Sequence, residues 1–172
     1  VVPSPNDVAL SVSPENNSGS NIAVIEYPHN VFPASITGLP GHPVSNVTLE
    51  NIEVKYEGGA DSARASFPYD SLSLITEAAH SYPEFSMFGE LPCWGLYVRH
   101  ASGLTMKDIR LSYEKSDFRP ACIFDDVQKL SLTGVSIPSY NESPVMILNK
   151  VKPVSLKGLD FKIPEERAVM VR

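Results

Sequence analysis

Two adjacent carboxylates, Asp125 and Asp126, are the most direct candidates for chemistry in the sequence. Paired carboxyl groups can divide the general acid and general base roles of a hydrolysis between them. Neighbouring residues of a strand point to opposite faces, however, so these two groups would not share a site. A repeat in the sequence places Asp125 beside Arg99 and Asn149, and Asp126 beside His100 and Lys150. We therefore interpret the pair as part of a surface ladder of opposite charges, worth about 0.2–1 kcal/mol per pair, in preference to a catalytic pair.

The other reactive side chains are dispersed along the chain. Cys93 and Cys122 each lie among apolar or small residues, which favours two buried free thiols over a disulfide. The four histidines do not occur with the cysteines at metal-ligand spacing, so we expect no metal site. We assign no catalytic residue and expect no cofactor.

The composition excludes several classes of protein. With 14 basic and 20 acidic residues the formal charge is −6, and no basic patch suited to nucleic acid is evident. A hydrophobic content of 42% is too high for a disordered chain. No apolar run approaches the roughly 18 residues of a membrane helix, and the 15 prolines disfavour long helices. We therefore expect a globular chain of short segments that binds neither nucleic acid nor membrane.

Four eight-residue segments share one pattern of apolar and turn-forming positions. Apolar and polar residues alternate within each, which predicts a short strand with one buried face. The fifth position is Asn51, Asp108, Gly134 or Gly158, all residue types that tolerate a positive φ. One left-handed residue bends a strand without reversing it, so each segment is predicted to be a strand, a corner and a second strand. The four segments are Val47–Val54, Leu104–Leu111, Leu130–Ile137 and Val154–Phe161.

The spacing of these segments predicts how they stack. Leu104 and Leu130 are 26 residues apart, and Leu130 and Val154 are 24 apart, which is typical of one coil of a parallel β-helix. Val47 and Leu104 are 57 apart, so the first coil is predicted to carry an insertion of roughly 30 residues. Within the insertion, Ser71–His80 is predicted to form one short helix.

A further strand is predicted before each of the last three corner segments. The same offsets align Leu96, Cys122 and Met146 in one column, and Val98, Phe124 and Leu148 in a second. Such columns would stack as apolar ladders inside the coils. A β-sandwich is the main alternative, but it needs tight hairpin turns, and no Asn-Gly or Asp-Gly separates paired strands here.

Seven motifs occur in a recognisable order: Ile36–Pro43, Val47–Ile52, Tyr82–Glu84, Met87–Pro92, Gly95–His100, Asp117–Ala121 and Asp125–Val127. Together they resemble the late coils of glycoside hydrolase family 28, in particular its bacterial polygalacturonase-like and rhamnogalacturonan-cleaving members. The resemblance extends from about Asn21 to Pro138. It implies an all-β fold, a right-handed parallel β-helix of the pectin-lyase type, with about four or five coils and one long insertion.

The resemblance also implies a family of inverting hydrolases in which one aspartate is the general acid and others activate water. The family's catalytic motifs are Asn-Thr-Asp, Asp-Asp, Gly-His-Gly and Arg-Ile-Lys, all in earlier coils. Gly41-His42-Pro43 is not Gly-His-Gly, and Asp125-Asp126 comes too late to be the catalytic pair. The chain therefore resembles the C-terminal part of a pectin-directed hydrolase, or a truncated relative, and we do not expect it to be active alone.

The candidate substrate-binding residues are aromatic, arginine and histidine side chains. An aromatic face can stack on a pyranose ring, and an arginine can bind a uronate carboxylate through two hydrogen bonds. As alternatives, Trp94 with Phe88 would fasten the insertion to the coils, and Arg119 would pair with Asp117 or Glu114. The candidates are Trp94, Tyr97, Arg99, His100 and Arg119.

We predict a single β-helix domain over residues 1–172, with the insertion at about 57–93 and a C-terminal cap at about 164–172. The expected partner is a pectic polysaccharide or oligogalacturonide, and open coil ends also predict self-association. The expected location is secreted or periplasmic, and since Val1–Pro5 has no basic n-region, an export signal would have been removed or left out. Two alternatives remain: a stand-alone carbohydrate-binding module without activity, and a structural β-helix module that binds no glycan.

Overall fold

The computed structural model describes residues 33–62, 65, 67–80, 85–89, 91–138 and 144–172. Most of these residues lie in strands of one sheet whose paired strands all run parallel. No helix in these ranges is long and apolar enough to cross a membrane. The prediction of an all-β fold with parallel strands is confirmed.

The six strands follow one another in the sheet almost in chain order. β1 pairs with the first four residues of β3, and β2 pairs with β3 from Ala101 to Lys115. β3, β4, β5 and β6 then pair in sequence. Leu39 and His42 form a single antiparallel bridge in the turn between β1 and β2. The strands are β1 (Ala34–Thr37), β2 (Val44–Gly58), β3 (Leu96–Lys115), β4 (Cys122–Ser136), β5 (Met146–Lys157) and β6 (Val169–Val171). In the described ranges, the helices are two short 3₁₀ helices, Tyr69–Leu74 and Phe85–Phe88, and α1 (Glu165–Ala168).

The pairing register confirms the repeat that the sequence predicts. Leu104 pairs with Val47 on one side and Leu130 on the other, and Leu130 pairs with Val154. The two predicted columns before the corners also form, because Cys122 lies between Leu96 and Met146, and Phe124 lies between Val98 and Leu148. All residues of these two columns are buried. The apolar side chains of one strand therefore stack on those of the next, as in a ladder.

Three sets of left-handed residues bend the strands at matching positions. The predicted set is confirmed, since Asn51, Asp108, Gly134 and Gly158 have φ values of 55, 53, 65 and 60°. A second set is Asn46, Gly103 and Lys129, at 56, 74 and 58°. A third set, which the sequence did not predict, is His100, Asp126 and Lys150, at 49, 53 and 53°. Of its residue types, histidine and aspartate are enriched at positive φ and lysine is not, so the set as a whole gave only a weak signal.

Gly134 is expected to be the corner least tolerant of a side chain. Its φ is +65°, and a Cβ there would lie 2.7 Å from Oδ1 of Asp108 on the neighbouring strand. We expect Gly134→Ala to lower the free energy of unfolding by about 2 kcal/mol, the cost of a left-handed alanine plus this contact, as measured by urea denaturation. Gly41→Ala is the control, because Gly41 has a φ of +77° but nothing within 4 Å of its Cβ position. Equal losses in the two variants would contradict a contribution from the contact with Asp108.

Apolar side chains pack on both faces of the sheet. The main core lies on one face and contains the predicted columns together with Trp94, whose ring centroid is 5.5 Å from that of Tyr56 and 5.2 Å from that of Tyr113. Tyr97, Ile123 and Ile147 point to the other face. There they contact apolar residues of the connection between β2 and β3, namely Leu72, Ile75, Phe88, Leu91 and Cys93. The connection covers residues 59–95, close to the insertion predicted at about 57–93, and from here on we call it the insertion.

Several local expectations can be compared with these elements. The predicted helix over Ser71–His80 is wrong: a 3₁₀ helix covers Tyr69–Leu74, and Ile75 is already extended. Both cysteines are buried and free, as predicted. Burial raises the pKa of Cys122 to about 12 and raises the pKa of Cys93 as well, so neither thiol is a ready nucleophile at neutral pH.

At the C-terminal end, Phe161 and Ala168 are buried in the main core. Residues 1–32, on which the first part of the single-domain prediction rests, lie outside the described ranges.

Candidate functional site

A groove of about 270 Å³ lies where the turn between β1 and β2 meets the left-handed residues His100 and Asp126 of β3 and β4. Its walls come from the turn between β1 and β2 (Leu39 and Pro43), from β3 (His100 and Ser102), and from β4 (Asp126 and Gln128). Hydroxyl, amide, carboxylate and apolar groups therefore meet in one cleft. This mixture is typical of sites for small polar ligands.

The turn beside the groove is fixed by close backbone packing. The Gly38 amide donates a hydrogen bond of 2.9 Å to the Arg99 carbonyl, and Leu39 and His42 exchange hydrogen bonds of 3.2 and 2.8 Å. A Cβ on Gly38 would lie 2.5 Å from the carbonyl oxygen of His100. Only glycine therefore lets the turn approach β3 closely enough to form this wall.

His100 joins the groove to the insertion through two short hydrogen bonds. Its Nδ1 is 2.6 Å from Oδ2 of Asp126, and its Nε2 is 2.9 Å from Oε1 of Glu77 in the insertion. Both ring nitrogens of His100 therefore face carboxylates. This differs from a serine–histidine–aspartate arrangement, in which one ring nitrogen faces the serine hydroxyl.

Arg99 holds the insertion against the sheet. Its Nη1 donates to the carbonyls of Leu72 and Ile75 at 3.3 and 3.2 Å. Its Nε lies 3.0 Å from Oε1 of Glu77 and 3.3 Å from Oδ2 of Asp125. One guanidinium therefore binds two backbone carbonyls and one carboxylate of the insertion, together with one carboxylate of β4.

The charge ladder through Asp125 exists but is not on the surface. Asp125 pairs in register with Arg99 and Asn149, as predicted, and Nδ2 of Asn149 donates a hydrogen bond of 2.6 Å to Asp125 Oδ1. Arg99 is only 7% exposed and Asp125 only 4%. A surface position is therefore wrong for the Asp125 column, because the insertion covers this part of the sheet. In the other predicted column, Asp126 contacts His100 as predicted, but no ion pair between Asp126 and Lys150 is found among the described residues.

The five predicted substrate-binding residues do not form one site. Trp94 and Tyr97 are buried, so neither ring offers an exposed face for stacking on a sugar, and burial also raises the pKa of Tyr97. Arg119 makes a two-pronged salt bridge with Asp117, with Nε–Oδ1 and Nη2–Oδ2 distances of 3.0 and 2.9 Å. This confirms the alternative of an Arg119–Asp117 pair. Of the five candidates, His100 lines the groove, and Arg99 is buried next to it between the sheet and the insertion.

Three exposed lysines beside the groove were not among the predicted binding residues, although Lys150 was predicted to lie beside Asp126. We call them the lysine row: Lys129 follows the groove residue Gln128, Lys152 pairs with Gln128 from β5, and Lys150 lies next to the Asp125–Asn149 pair. No carboxylate of the described residues lies within 4 Å of their ammonium groups. The repeat alone would have aligned them, because Lys129 occupies the position of Asn46 and Gly103 before each corner segment.

Two members of the lysine row are held in left-handed backbone. A residue with a Cβ costs about 1–2 kcal/mol in this conformation, whereas glycine costs nothing comparable. Lys129 and Lys150 nevertheless have φ values of 58 and 53°. Both lysines lie at corner positions that are left-handed on the neighbouring strands too, so the stacked strands hold them in this conformation.

Comparison with known proteins gives no match, whether to a family model, to a curated protein or to a solved structure. The resemblance to glycoside hydrolase family 28 therefore stays a prediction from the sequence motifs. In the described ranges, no group of three or more histidine, cysteine, aspartate or glutamate side chains could hold a metal ion.

Proposed function

We propose that the chain is the C-terminal portion of a pectin-directed glycoside hydrolase, built as a right-handed parallel β-helix, and that it binds the glycan without carrying the catalytic aspartates. The parallel register and the left-handed corners at matching positions of successive strands support the β-helix. The observation that carries the binding role is the lysine row beside the groove.

The lysine row explains how a chain with a negative net charge could bind an anionic glycan. A chain with a formal charge of −6 repels a polyanionic glycan unless its cations are clustered. Lys129, Lys150 and Lys152 supply such a cluster on adjacent strands, and no carboxylate in the described part of the chain forms an ion pair with them. An ammonium group that forms no ion pair within the protein can bind a uronate carboxylate without first losing another partner.

The carboxylates near the groove are arranged for structure rather than for hydrolysis. Asp125 is buried and bound by Arg99 and Asn149, so it does not reach a glycan. Asp126 and Glu77 are both bound to His100. An inverting hydrolase needs two carboxyl groups facing each other across the sugar, one to protonate the leaving oxygen and one to activate water. Among the described residues that line the groove, Asp126 is the one carboxylate, which supports binding without turnover.

The test is the binding of polygalacturonan to a Lys150→Ala/Lys152→Ala variant. We expect the double variant to bind at least about tenfold more weakly than the wild type by isothermal titration calorimetry at low salt. Wild-type binding should also weaken as salt is added, since screening reduces contacts between exposed charges. The control is Lys157→Ala, which removes an exposed lysine from the same strand at a position beyond the groove.

Three results would overturn the proposal. One is the absence of polygalacturonan binding by the wild type, and another is an equal loss of affinity in the control variant. The third concerns activity: we expect no release of reducing ends from polygalacturonan or rhamnogalacturonan by the wild-type chain. Clear turnover would show that catalytic carboxylates are present after all.

A further inference from the structure

The groove itself has a chemistry unlike that of the lysine row. Asp126, which lines the groove, has a side chain that is 48% exposed. Its Oδ2 accepts the hydrogen bond from His100, which leaves Oδ1 without a hydrogen-bond donor in the described part of the chain. A free carboxylate oxygen in a cleft is a strong acceptor that is suited to sugar hydroxyl groups.

The charges behind the groove strengthen its acidic character. Glu77, Asp125 and Asp126 contribute three carboxylates, and they contact one another through Arg99 and His100. The free oxygen of Asp126 lines the groove, and a uronate carboxylate placed directly against it would be repelled.

The remaining walls suit a neutral ring. Ser102 and Gln128 offer a hydroxyl and an amide that can each donate and accept hydrogen bonds. Leu39 and Pro43 offer apolar surface for the C–H face of a pyranose. The volume of about 270 Å³ gives room for a single sugar ring rather than for a length of polymer.

We propose that this groove binds one neutral, hydroxyl-rich sugar residue, with Asp126 Oδ1 accepting hydrogen bonds from its hydroxyl groups and excluding uronates. This inference rests on the proposed glycan-binding function and assigns a different residue of the glycan to each surface. Uronates contact the lysine row, and an uncharged residue occupies the groove.

The test compares two ligands with the same sugar backbone, in which each carboxyl group is either a methyl ester or a free acid. A methyl-esterified oligogalacturonide is neutral, and the same oligogalacturonide after de-esterification is anionic. In the wild type, we expect the neutral ligand to shift the backbone amide resonances of Ser102 and Gln128 in NMR titrations, and the free acid to shift those of Lys150 and Lys152 instead. In Asp126→Asn, we expect the affinity ratio at the groove to move about tenfold towards the free acid.

The variant is suited to this test because asparagine tolerates the left-handed backbone of Asp126, whose φ is 53°. The control is Glu166→Gln, which removes one negative charge from the exposed surface of α1. An unchanged ratio in Asp126→Asn, with lysine-row shifts intact, would overturn the neutral-sugar assignment and leave the proposed function standing. A wild-type chain that responds to neither ligand would overturn the proposed function itself.

Discussion

Replacing Arg99 with methionine is expected to lower the free energy of unfolding by about 3–5 kcal/mol, the usual cost of breaking a buried ion pair by removing one partner. The substitution would leave Asp125, which is 4% exposed, without its cation. It would also remove the donor to the Leu72 and Ile75 carbonyls of the insertion. Methionine fills much of the arginine volume, so the loss reports on charge and hydrogen bonds more than on a cavity.

The measurement is urea denaturation followed by circular dichroism, with Arg110→Met as the matched control. Arg110 lies on the same strand, is exposed, and forms no ion pair within the described ranges. We expect the control to change stability by less than about 0.5 kcal/mol. Limited proteolysis should also cut the insertion faster in Arg99→Met than in the wild type, since the guanidinium fixes residues 72–77 to β3. A loss below about 1 kcal/mol, with unchanged proteolysis, would contradict the role of Arg99 in holding the insertion.

The repeat in the sequence was sufficient to predict the strand register. Alternating apolar residues and the corner residues Asn51, Asp108, Gly134 and Gly158 repeat at nearly constant spacing, and a one-residue slip would turn every apolar side chain to the wrong face. The third left-handed set escaped prediction because it lies outside the four corner segments and includes Lys150, whose residue type is not enriched at positive φ. There the neighbouring strands impose the backbone conformation, and the local sequence does not reveal it.

The candidate site was harder to predict, because it depends on how the insertion packs. Charge and position alone placed Arg99 beside Asp125, but they gave no sign that both would be buried. Burial follows from contacts between the insertion and Tyr97, Ile123 and Ile147, which are far apart in the sequence. The same packing removes Trp94 and Tyr97 from the surface, where they had been expected to contact sugar.

The insertion also contacts the residues that line the groove, through Glu77 and His100. Glu77 reaches His100 from the insertion, and His100 in turn holds one oxygen of Asp126. The free oxygen of Asp126 is therefore oriented by a chain of contacts that begins in the insertion. It follows that the proposed neutral-sugar site and the stability of the insertion are linked through Arg99, which contacts the same carboxylate of Glu77.

Asp117 is expected to be the second position at which one substitution severely destabilises the protein. Its Oδ1 accepts two hydrogen bonds of 3.0 Å, from the backbone amide and from Nε of Arg119. Its Oδ2 accepts a hydrogen bond of 2.9 Å from Arg119 Nη2 and one of 3.2 Å from the Ala60 amide. Asp117 is 2% exposed and Arg119 is 9% exposed. The carboxylate therefore connects the start of the insertion to the turn between β3 and β4, in surroundings that water does not screen.

In Asp117→Asn, the amide group retains the shape of the carboxylate but supplies only one acceptor oxygen, and it leaves Arg119 as a buried cation without a counter-ion. We expect a loss of about 3–5 kcal/mol in urea denaturation. Asp160→Asn makes the same change in an exposed pair, with Lys162 at 3.3 Å, and is expected to cost less than about 1 kcal/mol. Similar small losses in both variants would show that the Asp117–Arg119 pair contributes no more than an exposed one. The insertion would then depend on its apolar contacts and on Arg99 for its position.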